Sequence, residues 1–338
     1  MRLKKISLSN KPKSYIDLLD CEGILTLLIS GFSLEQAMNL LENDFNKYVF
    51  NNIKDKLNKG EDINSFFHEF VPKQIKNNFK NFISYLPFNN SLKLSLSIYN
   101  EEKLQRKKYI SKLLYPSLML IATIIGIYFF IWICFPILLS LMKEFKADMI
   151  YAALIQKLVY IFLNILFVFV MIIELLILYY MQSKNQVKGY KLVSKFKYLE
   201  VIKLMISNDF ARFYQQCTNI GCSTISSIQI LKSFDNKPII SFIAKTIDDS
   251  LIEGNSFKNA FDSKYLDKGL FRFLNISLYS LNTDKMLEGY IKLNEIKLNN
   301  FFKKLTLLIQ GFTYSSISIV LIFVYQVLLL PLSIITNL

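Results

Sequence analysis

Residues 113–142 read LLYPSLMLIATIIGIYFFIWICFPILLSLM, thirty positions without a charged side chain between Lys112 and Lys143. About 20 apolar residues cross the hydrocarbon core of a bilayer, so this stretch is long enough to be a span. A helix of that length in a soluble core keeps a polar face, and this one has none. The same reading applies to the thirty-four chargeless positions that follow Lys304, and to 153–181, where only Lys157 and Glu174 are charged. Three spans are therefore expected, at 113–142, 153–181 and 305–335.

Outward from these runs the composition changes abruptly. Residues 1–112 hold 18 Lys and Arg against 12 Asp and Glu, and residues 182–304 hold 19 against 11. The 338-residue chain is 52% apolar and has only 10 Gly and 7 Pro, which excludes a disordered or collagen-like protein. Its net charge of +14 is carried by 36 Lys and only 4 Arg, a bias that fits AT-rich coding and argues little for nucleic-acid binding. Basic residues gather on the cytoplasmic flanks of membrane spans. Arg106, Lys107, Lys108 and Lys112 precede the first run, Lys184, Lys188 and Lys191 follow the second, and Lys303 and Lys304 precede the third. The charged domains at 1–112 and 182–304 are thus expected inside the cell membrane, with the hairpin at 143–152 and the C-terminus outside. No cleavable signal peptide is expected, because the first twenty residues carry charges throughout.

A short pattern recurs within the charged domains. Gly31-Phe32-Ser33-Leu34, Gly60-Glu61-Asp62-Ile63 and Gly254-Asn255-Ser256-Phe257 each combine a helix-ending Gly with a capping side chain two residues on, and Gly221-Cys222-Ser223-Thr224 is a looser copy. Ser33 and Gln36 have capping-box spacing. Gly31 and Gly60 are 29 residues apart, Gly221 and Gly254 are 33 apart, and the later landmarks Pro116 and Gly311, then Pro136 and Pro331, keep matching intervals. The halves correspond, with about four extra residues inside one helix pair of the second. Apolar residues at spacings of three and four follow each turn, so each half reads as an all-α bundle of about six helices leading into a span.

These features together resemble the type II secretion system protein F family, the inner-membrane platform proteins of type IV pili, type II secretion systems and competence pseudopili. The resemblance is carried by Leu27-Leu28-x-x-Gly31-x-Ser33-Leu34-x-x-Ala37, by Gly60 and Gly254 in their turns, by Leu114-Tyr115-Pro116, and by Pro136 and Pro331 deep in the first and third spans. The family's Gly-Glu pair is replaced here by Ser84-Tyr85-Leu86-Pro87 and Leu278-Tyr279-Ser280-Leu281, so no role of that acid carries over. The modest length is most like the Gram-positive competence branch. The resemblance implies a multi-pass membrane protein that couples a cytosolic, hexameric-type assembly ATPase to pilin or pseudopilin subunits, acts as a homo-oligomer and contacts no nucleic acid.

The chain offers little chemistry of its own. Its one histidine, His68, cannot build a zinc site, and Cys21, Cys134, Cys217 and Cys222 include no Cys-x-x-Cys pair, so neither metal nor disulfide is expected. It contains no phosphate-binding Gly-x-x-x-x-Gly-Lys-[Ser/Thr] loop and no Gly-x-Ser-x-Gly elbow. No catalytic residue and no cofactor are assigned. Glu174 is the sharpest candidate, since a carboxylate inside a span faces protein or water; it reads either as an intramembrane contact or as a residue tolerated near the headgroups beside Lys184. Pro116, Pro136 and Pro331 are read as kinks in the spans. The alternative function, a small transporter component, would need a polar path that the spans scarcely supply.

Overall fold

The structure is a computed structural model, and it describes residues 15–137, 140, 157, 161, 179, 185–196, 199–277 and 283–335. Every regular element among the described residues is a helix. The first half contains α1 (Leu18–Ile29), α2 (Leu34–Leu41), α3 (Lys47–Asn58), a short α4 (Ile63–Phe66) that runs into a 3-10 turn, α5 (Lys73–Phe82) and α6 (Phe88–Phe129). The second half contains α7 (Gln186–Val193), α8 (Glu200–Asn219), α9 (Thr224–Lys232), α10 (Pro238–Ile252), α11 (Phe257–Phe261), α12 (Lys268–Ser277) and α13 (Thr283–Ile335). Helices α8 to α13 repeat the order of α1 to α6. The extra length of the second half has a definite place: α9 has 9 residues where α2 has 8, and α10 has 15 where α3 has 12.

The chain divides into two compact units. One comprises Met1–Leu104 with Gln186–Asn294, and the other comprises Gln105–Asn185 with Glu295–Leu338. The first unit has two apolar cores. Cys21, Ile24, Met38, Phe50, Phe67 and Phe79 belong to one, and Phe210, Tyr214, Ile230, Ile243, Phe261 and Tyr290 to the other. Edge-to-face rings such as Phe67 on Phe88, with centroids 4.8 Å apart, fill the first core, and Phe242 on Tyr265, at 5.0 Å, does the same in the second.

The start of α6 is buried on both sides. Its sequence Leu92-Lys93-Leu94-Ser95-Leu96-Ser97-Ile98 alternates like a strand, yet it is helical. At 100° per residue, positions 92 and 96 share one face while 94 and 98 lie roughly opposite. Leu92 and Leu96 accordingly pack in the first core, and Leu94 and Ile98 in the second. Each such side chain contributes about 1.5–3 kcal/mol relative to exposure. The buried Ser95 hydroxyl donates to the Ser91 carbonyl at 2.7 Å, so this polar group between the leucines stays satisfied.

The second unit is described mainly through the later parts of α6 and α13. Lys108 pairs with Glu295 at 2.5 Å, Lys112 donates to Asn299, and the Tyr109 and Phe302 rings lie 6.1 Å apart. The stretches Phe88–Ile137 and Lys285–Ile322 are long and apolar enough to cross a membrane. Leu118, Ile121, Ile125 and Phe129 on the first, and Ile317, Ile319, Leu321 and Ile322 on the second, are exposed, an apolar surface that lipid would cover. The span expected at 153–181 and the hairpin at 143–152 lie outside the described residues, except for isolated positions such as Lys157.

Candidate functional site

Three places stand out in the described residues: the repeated helix turns, the junction between the halves inside the first unit, and the helix pair of the second unit.

The four turns have one hydrogen-bond pattern. Gly31, Gly60, Gly221 and Gly254 have φ of 93°, 79°, 88° and 82°, the left-handed region where a Cβ is strained. In each, the glycine N–H and the next residue's N–H reach back to carbonyls at the helix end. Gly31 donates to Leu28 at 3.1 Å and Phe32 to Leu27 at 3.1 Å; at the looser copy Gly221 donates to Thr218 at 2.8 Å and Cys222 to Cys217 at 3.2 Å. These are Schellman closures. The following helix then starts on a side-chain acceptor: Ser33 takes the Gln36 N–H at 3.2 Å, Asp62 the Asn64 N–H at 3.1 Å, Ser223 the Ser226 N–H at 3.2 Å and Ser256 the Asn259 N–H at 3.3 Å. Gln36 Oε1 also accepts the Ser33 N–H at 2.9 Å, which completes the capping box. Thr224, where the other copies have an apolar residue, leaves the cap unchanged. No heavy atom lies within 4 Å of a Cβ added at any of the four glycines, so their requirement is conformational rather than spatial.

At the junction, α5 and α6 of the first half meet α8 and the α9–α10 corner of the second. Phe82 stacks obliquely on Phe234 at 5.5 Å, and Phe234 meets Phe213 edge-on at 5.6 Å. Around this apolar centre Asn81 Nδ2 donates to the Ser233 carbonyl at 2.5 Å and to Asp235 Oδ2 at 3.1 Å. Arg212 pairs with Glu101 at 2.9 Å, and Lys237 pairs with Glu102 at 3.3 Å while sitting 4.8 Å above the Phe213 ring. Burial pushes the half-buried Asp209 carboxyl up to about 6; Lys237 and Arg212 draw it back down, and Glu102 adds to the rise. This junction escapes a search for motifs. Its signal in the sequence is the alternating run at 92–98, which marks a helix with two apolar faces.

In the second unit, the paired parts of α6 and α13 enclose an apolar groove of ≈ 430 Å³, lined by Met119, Thr123, Gly126, Phe130, Ser316 and Ile317 among others. Thr123 Oγ1 donates to the Met119 carbonyl at 2.8 Å and lies 3.0 Å from Thr313 Oγ1, a polar pair that joins the two helices at apolar depth. Pro116 sits buried inside α6. Pro136 follows a π segment at Phe130–Cys134, in which the Phe135 N–H reaches back to the Phe130 carbonyl. A proline cannot donate to the carbonyl one turn earlier, and a shift to five-residue hydrogen bonds is one way a helix accommodates it. Pro331 lies in α13 with its side chain outside the described residues, as does Glu174 altogether.

Cys21 and Cys217 are free and buried, and burial raises both thiols out of the reactive range. His68 lies in the 3-10 turn after α4. Asp267 caps α12 by accepting the Gly269 N–H at 2.9 Å, and its own N–H donates to Ser207 Oγ at 2.7 Å. Among the described residues no group of three His, Cys, Asp or Glu side chains is placed to hold a metal ion.

No family model matches the chain, and no curated protein is significantly similar to it.

Proposed function

We propose that this chain is an integral-membrane platform protein that couples a cytosolic ring ATPase to the extraction and polymerisation of pilin-like subunits, in a competence pseudopilus used for DNA uptake. In this reading each half is a cytoplasmic helical bundle, three spans cross the membrane at 113–142, 153–181 and 305–335, and the C-terminus is outside. The observation that carries it is the repeat: two matched pairs of Schellman turns, each followed after similar intervals by one uninterrupted helix that ends in a membrane-length apolar segment. Such a device transmits displacement. ATPase movement would be received by the helical repeats and passed along α6 and α13, both continuous from charged into apolar sequence. The groove beside Gly126 and the Thr123–Thr313 pair has the apolar lining that a guest helix needs.

The test is capture of a candidate ring ATPase by the full-length chain in detergent, with a deletion strain scored for pseudopilus and for solute uptake. Capture together with loss of the fibre and normal uptake supports the reading. Failure to bind any assembly ATPase encoded beside it, with a normal fibre in the deletion strain, overturns it.

A further inference from the structure

Helix α7 opens the second half, and its two sides are used differently. The inner side is fixed to the bundle. Tyr190 is buried and its hydroxyl donates to the Tyr265 carbonyl at 2.5 Å, while the Lys191 ammonium sits 4.4 Å above the Phe242 ring. The outer side, with the stretch that follows it, is apolar and open. Leu192 is 47% exposed, Phe196 58%, Leu199 39% and Ile202 39%, four large apolar side chains within eleven residues. The backbone that presents Phe196 is held on both sides: its N–H donates to the Val193 carbonyl at 3.1 Å, and its carbonyl accepts the Leu199 N–H at 3.0 Å. Other exposed apolar residues of this half, such as Ile225 and Ile252, stand singly along the chain.

The same stretch is basic. From 184 to 203 the chain has six lysines, Lys184, Lys188, Lys191, Lys195, Lys197 and Lys203, and one acid, Glu200. Lys188 and Lys195 are exposed, and Lys188 shares a helix face with Leu192 one turn on. Apolar side chains flanked by lysines form a surface that lies in a headgroup layer, where leucine and phenylalanine enter and ammonium groups reach phosphates. Position along the chain makes a second argument. The charge-poor run at 153–181 ends in Tyr179-Tyr180-Met181, aromatic residues of the kind that settle at an interface, and α7 begins at Gln186. Five residues reach at most about 18 Å when fully extended, so a span that ends at Met181 keeps the start of α7 close to the headgroups.

We infer that the outer surface of α7 and the turn after it rests on the cytoplasmic leaflet, with Leu192 and Phe196 entering the headgroup layer and Lys188 and Lys195 on the phosphates of anionic phospholipids. Leu199 and Ile202 extend the apolar edge. A lipid surface is the occupant because the patch combines an excess of positive charge with a short tether to a membrane-length apolar run. Ile252 lacks this setting, since Asp248, Asp249 and Glu253 surround it in sequence. The inference rests on the reading of 153–181 as a span, and its test reports on membrane insertion separately.

Trp132, the single tryptophan, is 63% exposed on the apolar part of the first membrane-length helix and reports insertion of the unsubstituted chain. In a Trp132→Phe background, Phe196→Trp puts the sole indole at the proposed contact and Ile252→Trp puts it at an exposed control. Each full-length chain is reconstituted in vesicles of mixed phosphatidylglycerol and phosphatidylcholine, with one lipid or the other brominated on its acyl chains to quench nearby indole fluorescence. F196W is expected to be quenched at least about twofold more than I252W, and more by the brominated anionic lipid than by the brominated neutral one. Lys188→Glu with Lys195→Glu is expected to abolish the preference for the anionic lipid. If Trp132 is quenched but F196W no more than I252W, the contact is overturned while membrane insertion stands; this is also the result if the patch serves a protein partner. Equal quenching of F196W by both lipids, or a preference that survives the lysine changes, overturns it as well. No quenching at Trp132 or in F196W overturns the contact together with the membrane reading.

Discussion

The opening turns of α6 and α13 occupy the same place in the two halves, yet they are used differently. In α6, Leu92 and Leu96 enter one core and Leu94 and Ile98 the other, so the helix is a wall shared by both halves. In α13 the corresponding residues are Leu287, Gly289, Ile291 and Leu293; Leu287 and Ile291 are buried, and Leu293 is exposed. The duplicated sequence therefore repeats the inward face of this helix, and the outward face diverges. Local structure follows what the halves share, and their association follows what they do not.

The comparison breaks most visibly at the shared wall. Phe82→Ala removes a fully buried ring that meets Phe234, and is expected to cost about 3–5 kcal/mol, seen as a large fall in the unfolding midpoint in detergent; Leu293→Ala, at an exposed site, is expected to leave that midpoint nearly unchanged. If both were equally costly, the asymmetry between α6 and α13 would be wrong. Next in size are the turns. Ala at Gly31, Gly60, Gly221 or Gly254 has room for its Cβ but must hold positive φ, so each replacement is expected to cost about 1–2 kcal/mol in the same denaturation assay, alike in both halves. Ser33→Ala and Ser223→Ala, which each remove a helix cap, are expected to cost about 1 kcal/mol. Ser33→Ala frees the Gln36 N–H but leaves the backbone N–H of position 33 on Gln36 Oε1, so the two losses should be similar.

The last effect is in pH dependence. Asp209 has a folded pKa raised above its ordinary value, so its protonated form is favoured by folding; stability from this group is fully present below pH about 4 and is lost as pH rises through about 6. Asp209→Asn is expected to raise the unfolding midpoint at pH 8 and leave it little changed at pH 4. Leu19→Asn, at the equivalent place in the first half, should show no such pH dependence. A midpoint for Asp209→Asn that rises equally at both pH values would show that the carboxyl does not titrate with folding.

Much of this was legible in the chain because it depends on local rules. A glycine followed two residues later by Ser or Asp marks a left-handed helix end and a new cap, and all four copies adopt that geometry, including Gly221 with its less regular continuation. Charge-free length identifies the two described helices that can cross a membrane. The junction was not legible in the same way. Its signal, alternate apolar residues at 92–98, has the period of a strand, and only the neighbours on either side show that two helical faces are being buried at once. Asp209 is a similar case: its residue type is visible, but its raised pKa comes first from burial in the packed junction, which Lys237 and Arg212 offset and Glu102 adds to.

Backbone conformation at a turn and the apolar length of a helix are set by residues adjacent in sequence, so the sequence by itself determined the repeated turns, the all-helical character and the membrane-length segments. Which face of one half meets which corner of the other was decided by tertiary structure alone. That choice rests on burial and ion pairing between residues more than a hundred positions apart, such as Glu101 with Arg212, and such energies exist only once the helices have been packed together.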